Sequence, residues 1–232
     1  MFFESPPQGV ASSCSSCSFS SRPTATQCRR SAWPKSRHWC ASHVRREVQP
    51  WLVIKNFVSE AERFELLESA MAQKQPGPRM SQFCFVLPCS GPSRYFRRLD
   101  ATGGVDSLVE ALTARLESAL DLGSRPRDVT LGRVCSYIEP GGFIHEHRDR
   151  YVSETSGLAG LSHLRANVVV QMEKSGQPII AGKSVPVEEG DAWVFLASKE
   201  LHATALIEGL KPRIVFGFGW SVPGSYLLPI KT

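Results

Sequence analysis

The chain has 232 residues, of which 42% are hydrophobic and 21% are charged. These proportions are typical of a globular protein and exclude a fibrous or wholly disordered chain. No run of 18 or more apolar residues occurs, which excludes a transmembrane helix. The net charge of +5 is unevenly distributed: residues 1–46 contain seven of the 27 basic residues but one of the 22 acidic residues, so the remaining 186 residues carry a net charge of −1.

Residues 1–46 form a predicted disordered basic tail, because they contain eleven serines and no repeating apolar pattern that could bury a core. A Ser- and Arg-rich segment with almost no acidic residues is typical of an organellar transit peptide, although a plain disordered extension or a misassigned start has the same composition. The cysteines farther along, Cys84, Cys89 and Cys135, are irregularly spaced and favour a reducing compartment. The predicted location is therefore intracellular: a mitochondrion or plastid if the tail is a transit peptide, and otherwise the cytoplasm.

Residues 47–232 form the predicted folded domain, which begins with a strand over 51–57 and contains two helices. Ser59 and Glu62 form a capping box, which predicts the start of the first helix. The second helix is predicted over 107–122. The apolar residues that repeat with helical spacing are Phe64, Leu67 and Met71 in the first helix and Leu108, Leu112, Leu116 and Leu120 in the second.

After Val129 the chain is predicted to be almost entirely β. Short apolar segments alternate there with turns that contain Gly or Pro. This spacing predicts a mostly β fold with flanking helices, a sandwich or barrel-like jelly roll in which two helices brace one sheet. The predicted strands span 131–138, 142–147, 165–172, 178–180, 185–187, 192–197, 201–207 and 213–220.

The residues that carry chemistry begin with His147 and Asp149, which lie two apart at the predicted end of a strand and therefore on one face. His202 is the only histidine on a later predicted strand, and it completes a set of two imidazoles and one carboxylate. Such a set is the facial triad that holds iron(II) and leaves coordination positions open. His145 shares the predicted face and offers a cupin-like alternative, but it lies farther from the strand's end. His163 is expected in a surface loop.

Arg213 opens a strand that is otherwise apolar. A turn over 208–211 predicts a hairpin that would place Arg213 beside the strand of His202. A guanidinium in a half-buried strand needs a carboxylate partner, and no nearby Asp or Glu is an obvious candidate. A ligand carboxylate bound through two hydrogen bonds would satisfy it. Thr204 is predicted to share the face of His202 and could add a hydroxyl to the same site.

The order of a His-x-Asp pair, a distal histidine and an arginine one strand later resembles the iron(II)/2-oxoglutarate-dependent dioxygenases, in particular small stand-alone hydroxylase-like members. The similarity covers roughly 51–220 and is strongest over 137–149 and 190–219. The resemblance implies a double-stranded β-helix, which agrees with the number of predicted strands.

The same resemblance implies that His147, Asp149 and His202 bind iron and that Arg213 binds the distal carboxylate of 2-oxoglutarate. The family often has a serine two residues after the arginine, where this chain has Val215. The residues that could supply the missing hydroxyl are Thr204 and Tyr137, and those that could hold the other end of the cosubstrate are Arg165 and Asn167.

The activity implied by the resemblance is hydroxylation of a protein side chain or a small molecule, coupled to decarboxylation of 2-oxoglutarate to succinate. It would use iron(II), 2-oxoglutarate and O2, with ascorbate as an optional reductant. Loops over 76–97 and 151–164 are expected to form a lid that selects the substrate.

Other functions are compatible with the sequence. A nucleic-acid demethylase of the same superfamily would need a basic groove, which a domain of net charge −1 does not favour. Arg94, Arg97 and Arg98 with Tyr95 and Phe96 nevertheless form a small basic and aromatic cluster. A non-catalytic jelly-roll binding module and a cupin-like metal protein that does not use 2-oxoglutarate are the remaining alternatives.

Overall fold

A computed structural model of the chain describes residues 49–72, 94–99, 106–128, 131–149 and 160–229. The basic tail lies outside these residues, so its disorder and its transit-peptide role stay predictions. Neither of the helices within the described ranges is long and apolar enough to cross a membrane.

Strand β1 (Trp51–Ile54) leads into helix α1 (Glu60–Ala72). The predicted capping box is confirmed, because the Ser59 backbone N–H donates to Glu62 Oε2 at 2.8 Å and the Glu62 N–H donates to Ser59 Oγ at 3.2 Å. These two bonds satisfy backbone donors that have no partner within the helix.

The apolar residues that indicated helix α1 are not the ones that it buries most deeply, although Leu67 packs against the core. Leu66 and Ala70, four residues apart, face the core, whereas the side chains of Phe64 and Met71 are 57% and 47% exposed.

Helix α2 (Ser107–Ala119) ends three residues before the predicted boundary. Its N-cap is Asp106, whose carboxylate accepts a hydrogen bond from the Leu108 N–H at 2.9 Å. Three of the four leucines that repeat with helical spacing, Leu112, Leu116 and Leu120, are buried. The buried residues of this helix and its C-cap are Val109, Leu112, Thr113, Leu116 and Leu120.

The remaining described elements are strands, and all of their pairings are antiparallel. They form a six-stranded sheet in the order β1-β8-β5-β10-β3-β2 and a four-stranded sheet in the order β4-β9-β6-β7. Two sheets with two helices on one of them are the predicted jelly roll. The strands after β1 are β2 (Arg94–Arg98), β3 (Arg133–Ile138), β4 (Ile144–His147), β5 (Leu161–Gln171), β6 (Pro178–Ile180), β7 (Lys183–Ser184), β8 (Ala192–Leu196), β9 (His202–Thr204) and β10 (Arg213–Pro223).

Both expected lid loops are partly strand. The end of the first, from Arg94 onward, is the edge strand β2, and the end of the second, from Leu161 onward, belongs to β5. The rest of the two loops lies mostly outside the described residues. Hydrogen bonding to β3 and β10 decides these boundaries, and such long-range pairing leaves no local sequence signal.

The six-stranded sheet buries apolar side chains on both faces, because successive residues of a strand point to opposite sides. Its outer face packs on the two helices in one core, to which Val168 and Val170 of β5 contribute. Its inner face packs on the four-stranded sheet in a second core, to which Val169 contributes. The candidate functional residues lie on the inner face, between the sheets.

An ion pair joins helix α2 to the six-stranded sheet. Arg133 of β3 is 1% exposed, and its guanidinium donates to both carboxylate oxygens of Glu110 at 2.6 and 2.5 Å. These bonds hold the pKa of Glu110 below its ordinary value. The stabilisation is therefore present above the unfolded-state pKa and is lost as the pH falls through the lowered pKa.

We expect Glu110→Ala to lower the free energy of unfolding by about 2 kcal/mol at neutral pH, because it takes a carboxylate partner from a buried guanidinium while Glu110 itself is half exposed. Urea unfolding measures the change. The difference in free energy of unfolding between the variant and the wild type should become smaller in acid, because protonation of Glu110 removes the ion pair from the wild type. Glu65→Ala, at an exposed position of α1, is the matched control and should change the value by less than about 0.5 kcal/mol. Equal effects of the two variants would contradict the expectation.

Candidate metal and cosubstrate site

A cavity between the two sheets brings together most of the residues singled out in the sequence. His147, Thr204 and His202 reach it from the four-stranded sheet. From the six-stranded sheet it is lined by Arg94, Phe96, Val134, Ser136, Arg165, Asn167, Trp193, Phe195, Arg213, Val215 and Gly217.

Two of these side chains, His147 and His202, form a cluster with Asp149 at one end of the cavity. His147, Asp149 and His202 each place a donor atom within 4.8 Å of the other two. Asp149 Oδ1 lies 3.6 Å from Nε2 of each histidine. Ligands about 2.1 Å from one metal ion and at right angles to each other lie about 3 Å apart, so a small contraction would close this cluster around an ion.

The backbone orients both imidazoles of the cluster. Nδ1 of His147 lies 2.8 Å from the carbonyl oxygen of His145, and Nδ1 of His202 lies 3.0 Å from that of Glu200. A carbonyl oxygen only accepts, so each Nδ1 carries the proton and each Nε2 keeps its lone pair facing Asp149.

The two carboxylate oxygens of Asp149 have different neighbours: Oδ1 faces His147 and His202, and Oδ2 faces β5 of the six-stranded sheet. Its Oδ2 lies 2.9 Å from Nδ1 of His163 and 3.0 Å from Nη2 of Arg165. The expectation that His163 lies in a surface loop was wrong, because this side chain is 2% exposed and belongs to β5. Had β5 been predicted to begin at Leu161, alternation would have placed His163 and Arg165 on one face.

The charges of the cluster suit metal binding. Burial raises the pKa of Asp149, but the Arg165 charge and the contacts with the neighbouring histidines outweigh it and hold that pKa well below its usual range. Burial lowers the pKa of His202, against the opposing effect of Asp149. An ionised carboxylate and a neutral imidazole are the forms that coordinate a metal.

A β-bulge separates His147 from His145. Ile144 pairs with Thr204 and His147 pairs with His202, so β4 contains one residue more than β9 over the same length. The extra residue interrupts the alternation that predicted a shared face. His147 turns into the cavity as a result, whereas His145 is exposed and lies outside the cluster.

Arg213 lies farther along the inner face and is 3% exposed. Its Nε and Nη2 atoms are buried and have no hydrogen-bond partner among the described residues. Its guanidinium lies 5.2 Å from the centre of the Trp193 ring. Burial, and to a lesser degree the charge of Arg94, lowers the pKa of Arg213 to about 9. The burial of an unpaired guanidinium is unfavourable, and a bound carboxylate would offset it by pairing with the guanidinium.

The predicted hairpin of Arg213 with the strand of His202 was wrong. His202 lies on β9, which pairs with β4 and β6, whereas β10 pairs with β3 and β5 in the other sheet. The chain crosses from one sheet to the other at the predicted turn, as consecutive strands of a jelly roll do. The two residues therefore face each other across the cavity rather than lying side by side.

Tyr137 is the one proposed cosubstrate residue that the structure places elsewhere. It packs with Cys135 in the core on the outer face of the six-stranded sheet. Its neighbour Ser136 lines the cavity, and the buried Oγ has no hydrogen-bond partner among the described residues. Ser136 pairs with Val215, so a hydroxyl lies one strand away from the position where the sequence lacks one. Only the register of β3 decides between the two neighbours.

The donor set fits a divalent metal such as iron(II), and the charge of the cavity beyond it fits an anionic ligand. Two imidazoles and one carboxylate leave further coordination positions open. The buried Arg213, with unpaired N–H groups, fits the far end of an anionic ligand.

Comparison with known proteins adds evidence on the fold. No protein-family model and no curated protein matches the sequence. Solved structures do match: the viral collagen prolyl hydroxylase of Paramecium Bursaria Chlorella virus-1 in its 2-oxoglutarate complex has a TM-score of 0.53 at 14% identity, over 75% of this chain and 96% of that one. The chain has the jelly-roll fold of the 2-oxoglutarate oxygenases.

Two further structures share this oxygenase fold. A prolyl hydroxylase of Trichoplax adhaerens, in complex with a hypoxia inducible factor oxygen degradation domain peptide, has a TM-score of 0.54 at 13% identity, over 75% of this chain and 84% of that one. HygX of Streptomyces hygroscopicus, with nickel, 2-oxoglutarate and hygromycin B bound, has a TM-score of 0.51 at 13% identity. The match covers 76% of this chain and 84% of that one. At these identities the likeness concerns the fold, and activity has to be argued from the site.

Proposed function

We propose that this protein is an iron(II)- and 2-oxoglutarate-dependent dioxygenase that hydroxylates a protein side chain or a small molecule. The observation that carries the proposal is the convergence, in one cavity, of the cluster around Asp149 and the buried, unpaired Arg213. The burial of Arg213 without a hydrogen-bond partner for Nε and Nη2 has no evident structural use among the described residues. Together the cluster and Arg213 match the two ends of a metal-bound dicarboxylate.

At the metal end, His147, Asp149 and His202 would hold iron(II), which when bound supplies the oxygen-activating chemistry coupled to decarboxylation of 2-oxoglutarate to succinate. The chain itself orients these ligands. His163 and Arg165 hold Asp149 Oδ2, so that Oδ1 alone faces the two imidazoles. This favours coordination through one carboxylate oxygen and keeps the other positions open.

At the far end, Arg213 would pair with the distal carboxylate of 2-oxoglutarate. Its guanidinium lies over the Trp193 ring, a contact that would orient the plane of the fork and leave its N–H edge for a ligand. Ser136 and Thr204 line the same cavity and offer hydroxyls. The apolar walls, Phe195 among them, exclude water and strengthen the ionic contact.

The proposed substrate class follows from charge and from the structural neighbours. The domain lacks the excess positive charge that a nucleic-acid groove requires. Proteins of the same fold bind a peptide in one solved complex and hygromycin B in another. A protein side chain or a small molecule is therefore favoured over a nucleic-acid base.

Turnover of the full-length protein tests the proposal. With iron(II), ascorbate and 2-oxoglutarate, we expect O2-dependent succinate formation that falls at least 100-fold in His147→Ala. His145→Ala, at the exposed histidine two residues away, is the matched control and should retain activity. Calorimetric titration of the Mn(II)-loaded protein with 2-oxoglutarate provides a second measurement that needs no substrate.

The other outcomes identify the alternatives. Metal binding without 2-oxoglutarate binding would indicate a cupin-like protein, and absence of metal binding would indicate a non-catalytic binding module. Succinate formation stimulated by a methylated oligonucleotide, and not by peptides or small molecules, would indicate a nucleic-acid demethylase.

A further inference from the structure

We propose that Arg94 is a second arginine of the distal carboxylate site and acts with Arg213 to select a dicarboxylate cosubstrate. This inference rests on the proposed function and deepens it. It concerns the edge strand β2, which the sequence placed in a lid loop, and it assigns a binding role to a residue two strands away from Arg213.

The strand register places the two arginines at the same level of the sheet. Arg213 pairs with Ile138 from one side of β3, and Arg94 pairs with the same Ile138 from the other side. Residues at one level of adjacent antiparallel strands point to the same face. Both side chains therefore project from the inner face, with Cα atoms about 10 Å apart, a span that two long side chains can close.

Both guanidinium groups reach the same cavity. Arg94 and Arg213 line it together, and the pKa of Arg213 is lowered by burial and, to a lesser degree, by the charge of Arg94. Like charges held close in a buried site repel each other, so an anion between them would stabilise the arrangement. Apart from Asp149 at the metal end, no aspartate or glutamate is among the described residues of this cavity.

Each arginine has an aromatic ring beside it. The Arg94 guanidinium carbon lies 5.9 Å from the centre of the Phe96 ring, and that of Arg213 lies 5.2 Å from the centre of the Trp193 ring. Contact with a ring face orients the guanidinium plane and leaves its N–H edge for a ligand. Since a guanidinium has five N–H donors, Arg94 can keep other contacts and still turn donors to the cavity.

The next level of the sheet supports the same placement of the anion. There Val215 pairs with Ser136, which pairs in turn with Phe96. Val215 on β10 has no side-chain hydrogen-bonding group. The polar group at this level is the buried hydroxyl of Ser136 on β3, the strand between β10 and β2. The hydrogen-bond donors beside Arg213 therefore lie on the side of β3 and β2 rather than on β10. Arg94 adds its guanidinium to the Ser136 hydroxyl on that side.

Ligand affinity tests the inference without turnover. In the Mn(II)-loaded full-length protein, we expect Arg94→Met to raise the Kd of 2-oxoglutarate about 10-fold or more, since charge-assisted hydrogen bonds in a buried site are strong. Arg94→Lys keeps the charge but not the fork and should have a smaller effect. The Kd of Mn(II) itself should not change. Arg98→Met is the matched control on the same strand, outside the cavity lining, and should bind as the wild type does.

A second ligand shows which end of the cosubstrate Arg94 contacts. 2-Oxopentanoate keeps the metal-binding 2-oxo acid group but lacks the distal carboxylate, so Arg94→Met should leave its Kd within about 2-fold. Equal weakening of both ligands, or an unchanged Kd of 2-oxoglutarate, would overturn the inference. An unchanged Kd in Arg94→Met together with a large increase in Arg213→Met refutes this inference alone, whereas unchanged values in both variants refute the proposed cosubstrate as well.

Discussion

Replacing Arg213 with methionine is expected to weaken 2-oxoglutarate binding at least 100-fold and, in the ligand-free protein, to raise the free energy of unfolding by about 2 kcal/mol. The two effects have one cause. The guanidinium is buried, its Nε and Nη2 have no described hydrogen-bond partner, and its pKa is lowered to about 9. Methionine keeps the apolar stem and removes the charge. It therefore removes both the unfavourable free energy of burying an unpaired charge and the group that would bind the carboxylate.

Calorimetry with 2-oxoglutarate and thermal unfolding without it measure the two effects. For a domain of this size, the gain in stability corresponds to about 4–8 °C in Tm. Lys211→Met removes an exposed cation from the loop that precedes β10 and is the matched control for both measurements. Arg213→Lys should also lose most of the affinity, because an ammonium cannot form the two parallel hydrogen bonds. A variant that is less stable and still binds 2-oxoglutarate would contradict the assigned role.

Replacing Asp149 with asparagine is expected to abolish metal binding over the range in which the wild type binds one Mn(II) per chain, a weakening of at least 100-fold. The substitution keeps the shape of the side chain but removes the only carboxylate of the cluster. It also leaves Arg165 without its ion-pair partner, so the metal-free variant should be less stable by about 2 kcal/mol. Because the pKa of Asp149 is held well below its usual range, the stabilisation is fully present at neutral pH and is lost only as the pH falls through that pKa.

Electron paramagnetic resonance of free Mn(II) and thermal unfolding with and without the metal measure these effects. Saturating Mn(II) should raise the Tm of the wild type and not that of Asp149→Asn, since only a bound ligand stabilises the folded state. Glu146→Gln, at an exposed acid on β4 outside the cluster, is the matched control. Retention of wild-type Mn(II) affinity by Asp149→Asn, or an equal loss in the control, would show that the metal binds elsewhere.

Several features of the fold could be predicted because local chemistry specifies them. The capping box at Ser59 and the short β segments separated by Gly and Pro each leave a signal within a few residues. The pairing of His147 with Asp149 needs only strand alternation, and Arg213 stands out as a charge in an apolar segment.

Other features depended on long-range pairing. The extent of β2 and β5 is set by hydrogen bonds to distant strands. Alternation along β3 requires that Ser136 and Tyr137 face opposite sides of the sheet but does not say which of them faces the cavity. The register with β10 decided that it is Ser136. A one-residue change of register exchanges the two faces, so no local signal could have chosen between them.

The sequence by itself determined the jelly-roll class and indicated the residues of the candidate metal cluster and the arginine opposite it. Only the tertiary structure decided how they meet: across two sheets rather than within a hairpin, with a bulge that separates His147 from His145, and with His163 and Arg165 against Asp149. The physical reason is that the residue types at a site follow from their chemistry, whereas their mutual geometry follows from the pairing of strands far apart in the chain.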